Sequence, residues 1–386
     1  MYADRSVYPW YERLRSDLPG LRLFDAHTHT GANDPDGYRC TSGQLLEALA
    51  LAGGARAAVF TMHEPDGYPE ANDRVLAEAA ASAGRLVAFA RLDPSADPAG
   101  EAERCLGAGA RGLKLHPRAE RFTLDHPALR GVFALAAEAR VPVLVHAGRG
   151  IPALGRHVVE HLDRVPGLRV ILAHAGICDL AWLARRAERH PGLFFDTAWW
   201  SPADLLALFA LVPPGHVLFA SDAPYGTPVA AAVLGLRCAL QAGLDDTQVL
   251  GVAGGQLERL VAGEEPLDLG PAPGVTRLAQ PVLLERVGTF LTAALGQLLV
   301  FGEPTEQLAL ARLACEVGDD APEAPACRSV LALLDRRDAF AAEHAGEGTR
   351  QALGMHLVVS ALAVTRTPDV GLPALPERVE AGERAA

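Results

Sequence analysis

The sequence predicts an α/β fold: a (β/α)8 TIM barrel with a C-terminal helical appendage. Two patterns predict it. Eight short apolar runs alternate with longer segments rich in Ala, Leu, Glu and Arg. The runs are continuously apolar rather than alternating, which is how strands of a parallel sheet covered on both faces read. Eight such units between residues 21 and 262 fit a closed barrel; a doubly wound open sheet is the alternative. A third observation concerns placement, because histidine, lysine and aspartate collect where the runs end.

In order, the strand expectations are LRLFDAHTH (21–29), RAAVFTMH (56–63), LVAFARLD (86–93), RGLKLHP (111–117), VPVLVHAG (141–148), RVILAHAG (169–176), GLFFDTAW (192–199) and HVLFASDAP (216–224). Segments such as GQLLEALALAGG and HPALRGVFALAAEAR lie between them, with apolar residues at helical three- and four-residue intervals. His27 and His29, two apart in DAHTHTG, point to the same side of an extended strand. Such a pair closes on one metal ion or is simply a polar strand end. Lys114 and His116 end the fourth run, His146 the fifth, His174 the sixth and Asp222 the eighth. In a barrel these ends meet at one mouth, and imidazoles with a carboxylate around one cavity are a donor set for Zn²⁺ or a similar divalent ion. Any one histidine alone reads as a hydrogen-bonded core residue; their joint placement favours a site.

Composition bounds the rest. The 386 residues, 49% hydrophobic and 21% charged, describe an ordinary soluble globular chain. A net charge of −12 argues against nucleic acid or an anionic membrane surface as the main partner. No secretory apolar segment opens the chain, and no run reaches the ~18 apolar residues of a membrane span. Cys40, Cys105, Cys178, Cys238, Cys315 and Cys327 lack C-x-x-C spacing and read as reduced thiols of a cytoplasmic protein. Of 35 basic residues only Lys114 is lysine. In a chain that otherwise uses arginine, a retained lysine is either chance or a position where arginine does not serve.

Residues 1–265 are expected to form the barrel domain. AGEEPLDLGPAPG then reads as a linker. Residues 276–386 form a helical C-terminal domain of unassigned role, ending in a Pro- and Glu-rich tail of about twenty residues expected to be mobile.

The strings DAHTHTG, GLKLHP, VHAG, LAHAG, ASDAPYG and GVAGGQLERL together resemble the amidohydrolase superfamily, in particular its amidohydrolase-2 group, over residues 21–262. The resemblance implies that His27, His29 and Asp222 hold a first metal, with His146 a further ligand. His174 is then a catalytic polariser or acid/base group in a mononuclear site, and a second-metal ligand in a binuclear one. In binuclear relatives a lysine at Lys114's position is carbamylated and bridges both ions, a chemistry closed to arginine because its guanidinium stays protonated. In mononuclear relatives the lysine contacts substrate. One or two divalent ions are therefore implied, Zn²⁺ first, with Mn²⁺, Fe²⁺ or Co²⁺ compatible with the same donors.

The function expected on this basis is hydrolysis of a small molecule. A metal-bound hydroxide attacks an amide, lactone or ester carbonyl, and Asp222 moves the proton. Arg149, His63 and His116 are the candidate substrate-binding residues, Arg149 suiting a carboxylate, and His116 also suits orienting Lys114 or a ligand. The alternative is metal-dependent, non-oxidative decarboxylation of an unsaturated or aromatic acid; a remote one is a catalytically dead scaffold. A homo-oligomer is compatible with the sequence.

Overall fold

The computed structural model describes residues 4–347, 349–350 and 352–375. The barrel strands in chain order are Phe24–Thr30, Arg56–Thr61, Leu86–Ala88 continued by Ala90–Arg91, Leu113–Leu115, Pro142–Val145, Arg169–Leu172, Leu193–Asp196 and Val217–Leu218. Each pairs in parallel with the next. The eighth returns to the first: Ala26 N–H donates to Phe219 O (2.9 Å) and His29 N–H to Ala223 O (2.7 Å). The third strand is interrupted at Phe89, whose ring packs in the barrel interior. A methyl group on Gly112 would fall 2.5 Å from that ring, so glycine is required opposite it.

Side chains alternate along each strand. Arg91, Lys114, Leu144, Ile171 and Phe194 share one register layer, so the chain's lysine lies level with buried aliphatic and aromatic residues. Phe24, Ala58, Phe60 and Leu218 fill the same barrel interior, with Leu257 and Leu260 of the helix Gln256–Val261 packed among them. Each fully buried Leu or Phe contributes about 1.5–3 kcal/mol. Several strands are shorter than their apolar runs. His146, His174 and Asp222 stand just past the strand ends, on the loops of the C-terminal face.

Residues 282–366 form four helices, Val282–Leu299, Thr305–Ala314, Ala324–Glu343 and Met355–Arg366. The first is long and apolar enough to cross a membrane by length and composition, but one face of it, including Leu284, Leu291 and Leu298, is packed into the same apolar core as the barrel helices. The last lies against the barrel helices Pro202–Leu211 and Pro228–Ala242. An N-terminal helix, Asp4–Asp17, not among the elements anticipated from the sequence, clamps both parts. Its buried Trp10 donates to Ser329 Oγ (2.9 Å) and Tyr11 to Ala52 O (2.9 Å).

The segment beyond 366 is tied down through Arg237, a fully enclosed side chain of the helix Pro228–Ala242. It donates to Thr367 Oγ1 (2.9 Å), Thr367 O (3.0 Å), Gly371 O (2.8 Å) and Val370 O (3.3 Å), and burial pushes its guanidinium down to about 10. The first part of the tail expected to be mobile is therefore packed on the barrel; residues 376–386 lie outside the described residues. Because Arg237→Met leaves these acceptors buried without donors, it is expected to cost about 3 kcal/mol, read as a lower urea midpoint with proteolysis starting near residue 367.

Candidate active site

The loops at the strand ends bring the polar residues to one mouth. His27 and His29 come from the first strand, Lys114 from the fourth and Asp222 from the loop after the eighth. Asp222 Oδ1 lies 3.2 Å from His27 Nε2 and 3.1 Å from His29 Nε2. Lys114 Nζ stands 3.4 Å from His27 Nε2, with its ammonium 4.6 Å from the centroid of the Phe60 ring. On the far side, His174 Nε2 lies 2.9 Å from His146 Nδ1, and the His146 ring is stacked on His116 at 3.9 Å. His27, His174 and Asp222 offer donor atoms within 4.8 Å of one another.

Each inward nitrogen is aimed by what holds its partner. His27 Nδ1–H donates to Asp196 Oδ2 (2.8 Å), turning Nε2 to the cavity, and His174 Nδ1–H donates to Ala198 O (2.7 Å). Asp196 is itself held by the backbone N–H groups of His174 (2.8 Å) and Ala198 (3.0 Å). A carboxylate behind a histidine in this way is the arrangement that orients metal-binding imidazoles. Asp196 was not singled out from the sequence. The signal was present: an aspartate two residues beyond an inward Phe194 in an otherwise apolar strand. Asp25 Oδ1 accepts from the N–H groups of His27 and Ser221, both at 3.0 Å, and so ties the first strand to the Asp222 loop. His174 (φ 58°) and Asp222 (φ 57°) are left-handed, a conformation that costs a non-glycine residue on the order of 1–3 kcal/mol.

Burial dominates the electrostatics. It holds His27, His29, His116 and His146 well below the usual imidazole range, with the positive charge of Lys114 adding to the effect. Burial, reinforced by Arg91, also pushes Lys114 down to about 7, and burial raises Asp222 to about 6 and Asp196 to about 7. Neutral imidazole is the form that ligates a metal. The 3.1–3.2 Å between the Asp222 oxygen and the two Nε2 atoms is close to the edge of about 3.3 Å in a tetrahedral shell with 2.0–2.1 Å bonds. His146 Nε2 is buried without a hydrogen-bond partner among the described residues. The donor set fits a divalent ion.

Two chambers meet at His146, His174 and Asp222. One, of about 530 Å³, is lined by many titratable side chains, among them His27, His29, His63, His116 and Arg91. The other, of about 280 Å³, is mostly apolar and holds Arg149, Trp199 and Trp200. The structure thus separates the candidate substrate residues, placing His63 and His116 in the first chamber and Arg149 in the second. His116 braces His146 and accepts from its own loop at Ala119 N–H (3.1 Å); among the described residues it makes no hydrogen bond to Lys114. Arg91 was also not anticipated. It is buried against Glu120 (2.7 Å), which also accepts from Tyr68. Arg118, Arg121 and Arg149 line the chambers and, among the described residues, none has an acidic partner within ion-pair distance. They bring positive charge to a mouth that Asp34 and Asp36 also line.

A family model described as amidohydrolase matches residues 24–255. Solved structures with the same fold include 5-carboxyvanillate decarboxylase from Sphingomonas paucimobilis (TM-score 0.51, 18% identity, covering 63% of this chain and 99% of that one). An uncharacterized TIM-barrel protein from Bordetella bronchiseptica gives TM-score 0.52 at 16% identity over 63% and 99% of the two chains. The apo form of IDCase from Metarhizium anisopliae gives 0.50 at 16% identity over 64% and 98%. Identities this low establish the fold alone. No curated protein matches the chain.

Glu120→Ala strands the Arg91 charge in the barrel wall and is expected to destabilise the fold by about 3–5 kcal/mol. Arg91→Met combined with Glu120→Leu removes both charges and is expected to recover most of that loss in equilibrium unfolding.

Proposed function

This chain belongs to the amidohydrolase family, and from that premise we propose that it is a metal-dependent hydrolase opening an amide, lactone or ester bond of a small anionic molecule. The observation that carries the proposal is the meeting of His27, His29, Asp222 and Lys114 within 3.1–3.4 Å contacts at the barrel mouth. In this reading His27, His29 and Asp222 hold one divalent ion, Zn²⁺ by preference, with His146 as a further ligand. A bound divalent ion supplies Lewis acidity, polarising a carbonyl and acidifying water. Asp222 Oδ2, 4.0 Å from His174 Nδ1, accepts the proton of the attacking water and returns it to the leaving group. Asp196 keeps His27 in the tautomer that presents Nε2. The rim arginines hold the anionic part of the substrate, Arg149 as a bidentate carboxylate contact.

Lys114 is assigned to the metal site rather than to substrate. Burial shifts it towards the neutral amine, the form that adds CO₂ to give a carbamate and one proton. His174 would then serve a second ion. The second reading, decarboxylation of an unsaturated or aromatic acid on the same donors, is favoured by the three rim arginines without acidic partners. None of the six cysteines is in a disulfide among the described residues, which supports a cytoplasmic location.

Metal analysis of protein purified without chelator or polyhistidine tag is expected to give two equivalents per chain, falling to one or fewer in Lys114→Ala. One equivalent retained in that variant returns Lys114 to substrate binding and favours the decarboxylase; no metal after reconstitution overturns the assignment. With a turned-over substrate in hand, oxygen-18 from water enters the product of hydrolysis, whereas decarboxylation releases CO₂. Asp222→Ala is expected to lower kcat on the order of 10²–10⁴-fold with secondary structure unchanged by circular dichroism.

A further inference from the structure

The apolar chamber has one wall from outside the family match. Trp199 and Trp200 follow the seventh strand and Leu234 belongs to the barrel helix Pro228–Ala242, but Met355 and Val359 come from the first turns of the last appendage helix. The family model stops at residue 255. The structural neighbours use up 98–99% of their own chains on 63–64% of this one, so more than a third of this chain is unaccounted for by them.

The two walls are fixed independently. Trp199 Nε1 donates to Asp204 (2.7 Å), and its ring stands edge-on to His174 at 6.1 Å. Opposite, Gly354 begins the helix in the left-handed region (φ 72°), with Arg337 so close that a Cβ would fall 2.8 Å from its side chain. Arg337 in turn donates to Leu353 O (3.0 Å). Met355 is therefore presented from a braced turn. At the inner end lie His146, His174 and Asp222, and at the rim Arg118 and Arg149. A cavity of about 150 Å³ holds a benzene molecule; the 280 Å³ here leaves room for a ring with a short side chain.

We propose that the C-terminal helical segment is the specificity wall of this enzyme. The chamber between Trp199, Trp200, Leu234, Met355 and Val359 receives an aryl or comparable apolar group of a carboxylate substrate whose charge is held by Arg118 and Arg149. The proposal rests on the preceding assignment only in taking His146, His174 and Asp222 as the reacting edge; binding in the chamber itself requires neither metal nor turnover.

The test is calorimetric titration of the full chain with 4-phenylbutyrate, and with acetate as the carboxylate lacking the apolar group. The expected result is at least tenfold tighter binding of 4-phenylbutyrate, lost by tenfold or more in Met355→Trp, which fills the chamber, and weakened in Arg149→Gln. Met355→Ala, a milder change at a half-buried position, is expected to shift preference at least threefold towards 2-naphthylacetate. Equal binding of the two probes by the unaltered chain, or unchanged selectivity in both Met355 variants, overturns the proposal. Because the titration reads no catalysis, selective binding by a chain that holds no metal would sustain the chamber and defeat the hydrolase, and the converse result would separate them the other way.

Discussion

Closure of the sheet between its first and last strands is the constraint on which the site depends. Asp25, one carboxylate oxygen shared between the N–H groups of His27 and Ser221, stands at that seam beside the backbone bonds from Ala26 and His29. His27 and Asp222 are 195 residues apart in the chain, and only this seam brings their side chains within contact. Strain at Asp222 and His174 is borne by the same framework, because rigid strands over-determine the loops they launch.

The second organising fact is dryness. A layer of Leu144, Ile171 and Phe194 surrounds Lys114, and low-dielectric surroundings penalise every charged form. Carboxylates are raised, while lysine and imidazoles are lowered. The groups drift towards neutrality together, which suits a cluster that would otherwise be held apart by repulsion between like charges. A divalent cation completes such a cluster by favouring the carboxylate and leaving the imidazole lone pairs free to bind.

Much of this was legible in the sequence, for reasons that differ by residue. The barrel was readable because continuous apolar runs report burial on both faces. His27, His29, Lys114, His146, His174 and Asp222 were readable because a polar residue that ends such a run arrives at the barrel mouth. Asp196 and Arg91, each the last residue of its strand, were missed because their partners His27 and Glu120 come from distant segments, so that neither stood out in its own run. The division of the mouth into two chambers, with Arg149 apart from His63 and His116, depends on loop paths that periodicity does not encode. The N-terminal helix was overlooked although Val7, Trp10, Tyr11 and Leu14 stand at helical three- and four-residue intervals around an internal Pro9. Its burial follows from partners near Ala52 and Ser329 that no local window contains.

The Trp10–Ser329 hydrogen bond spans 319 positions, which bears on how the chain comes off the ribosome. Domains generally fold from the N-terminus as they emerge, and every strand of the barrel is synthesised before residue 219. The sheet can close while the partner of Trp10 is still untranslated. Until the helix Ala324–Glu343 arrives, Trp10 lacks the Ser329 acceptor and the Arg336 guanidinium that meet its indole in the finished molecule, while the first helix already has its main partner, the barrel helix Pro228–Ala242. The last third of the chain thus completes the surroundings of Trp10 after the barrel that carries it, and a form ending near residue 280 would leave that indole without its Ser329 acceptor.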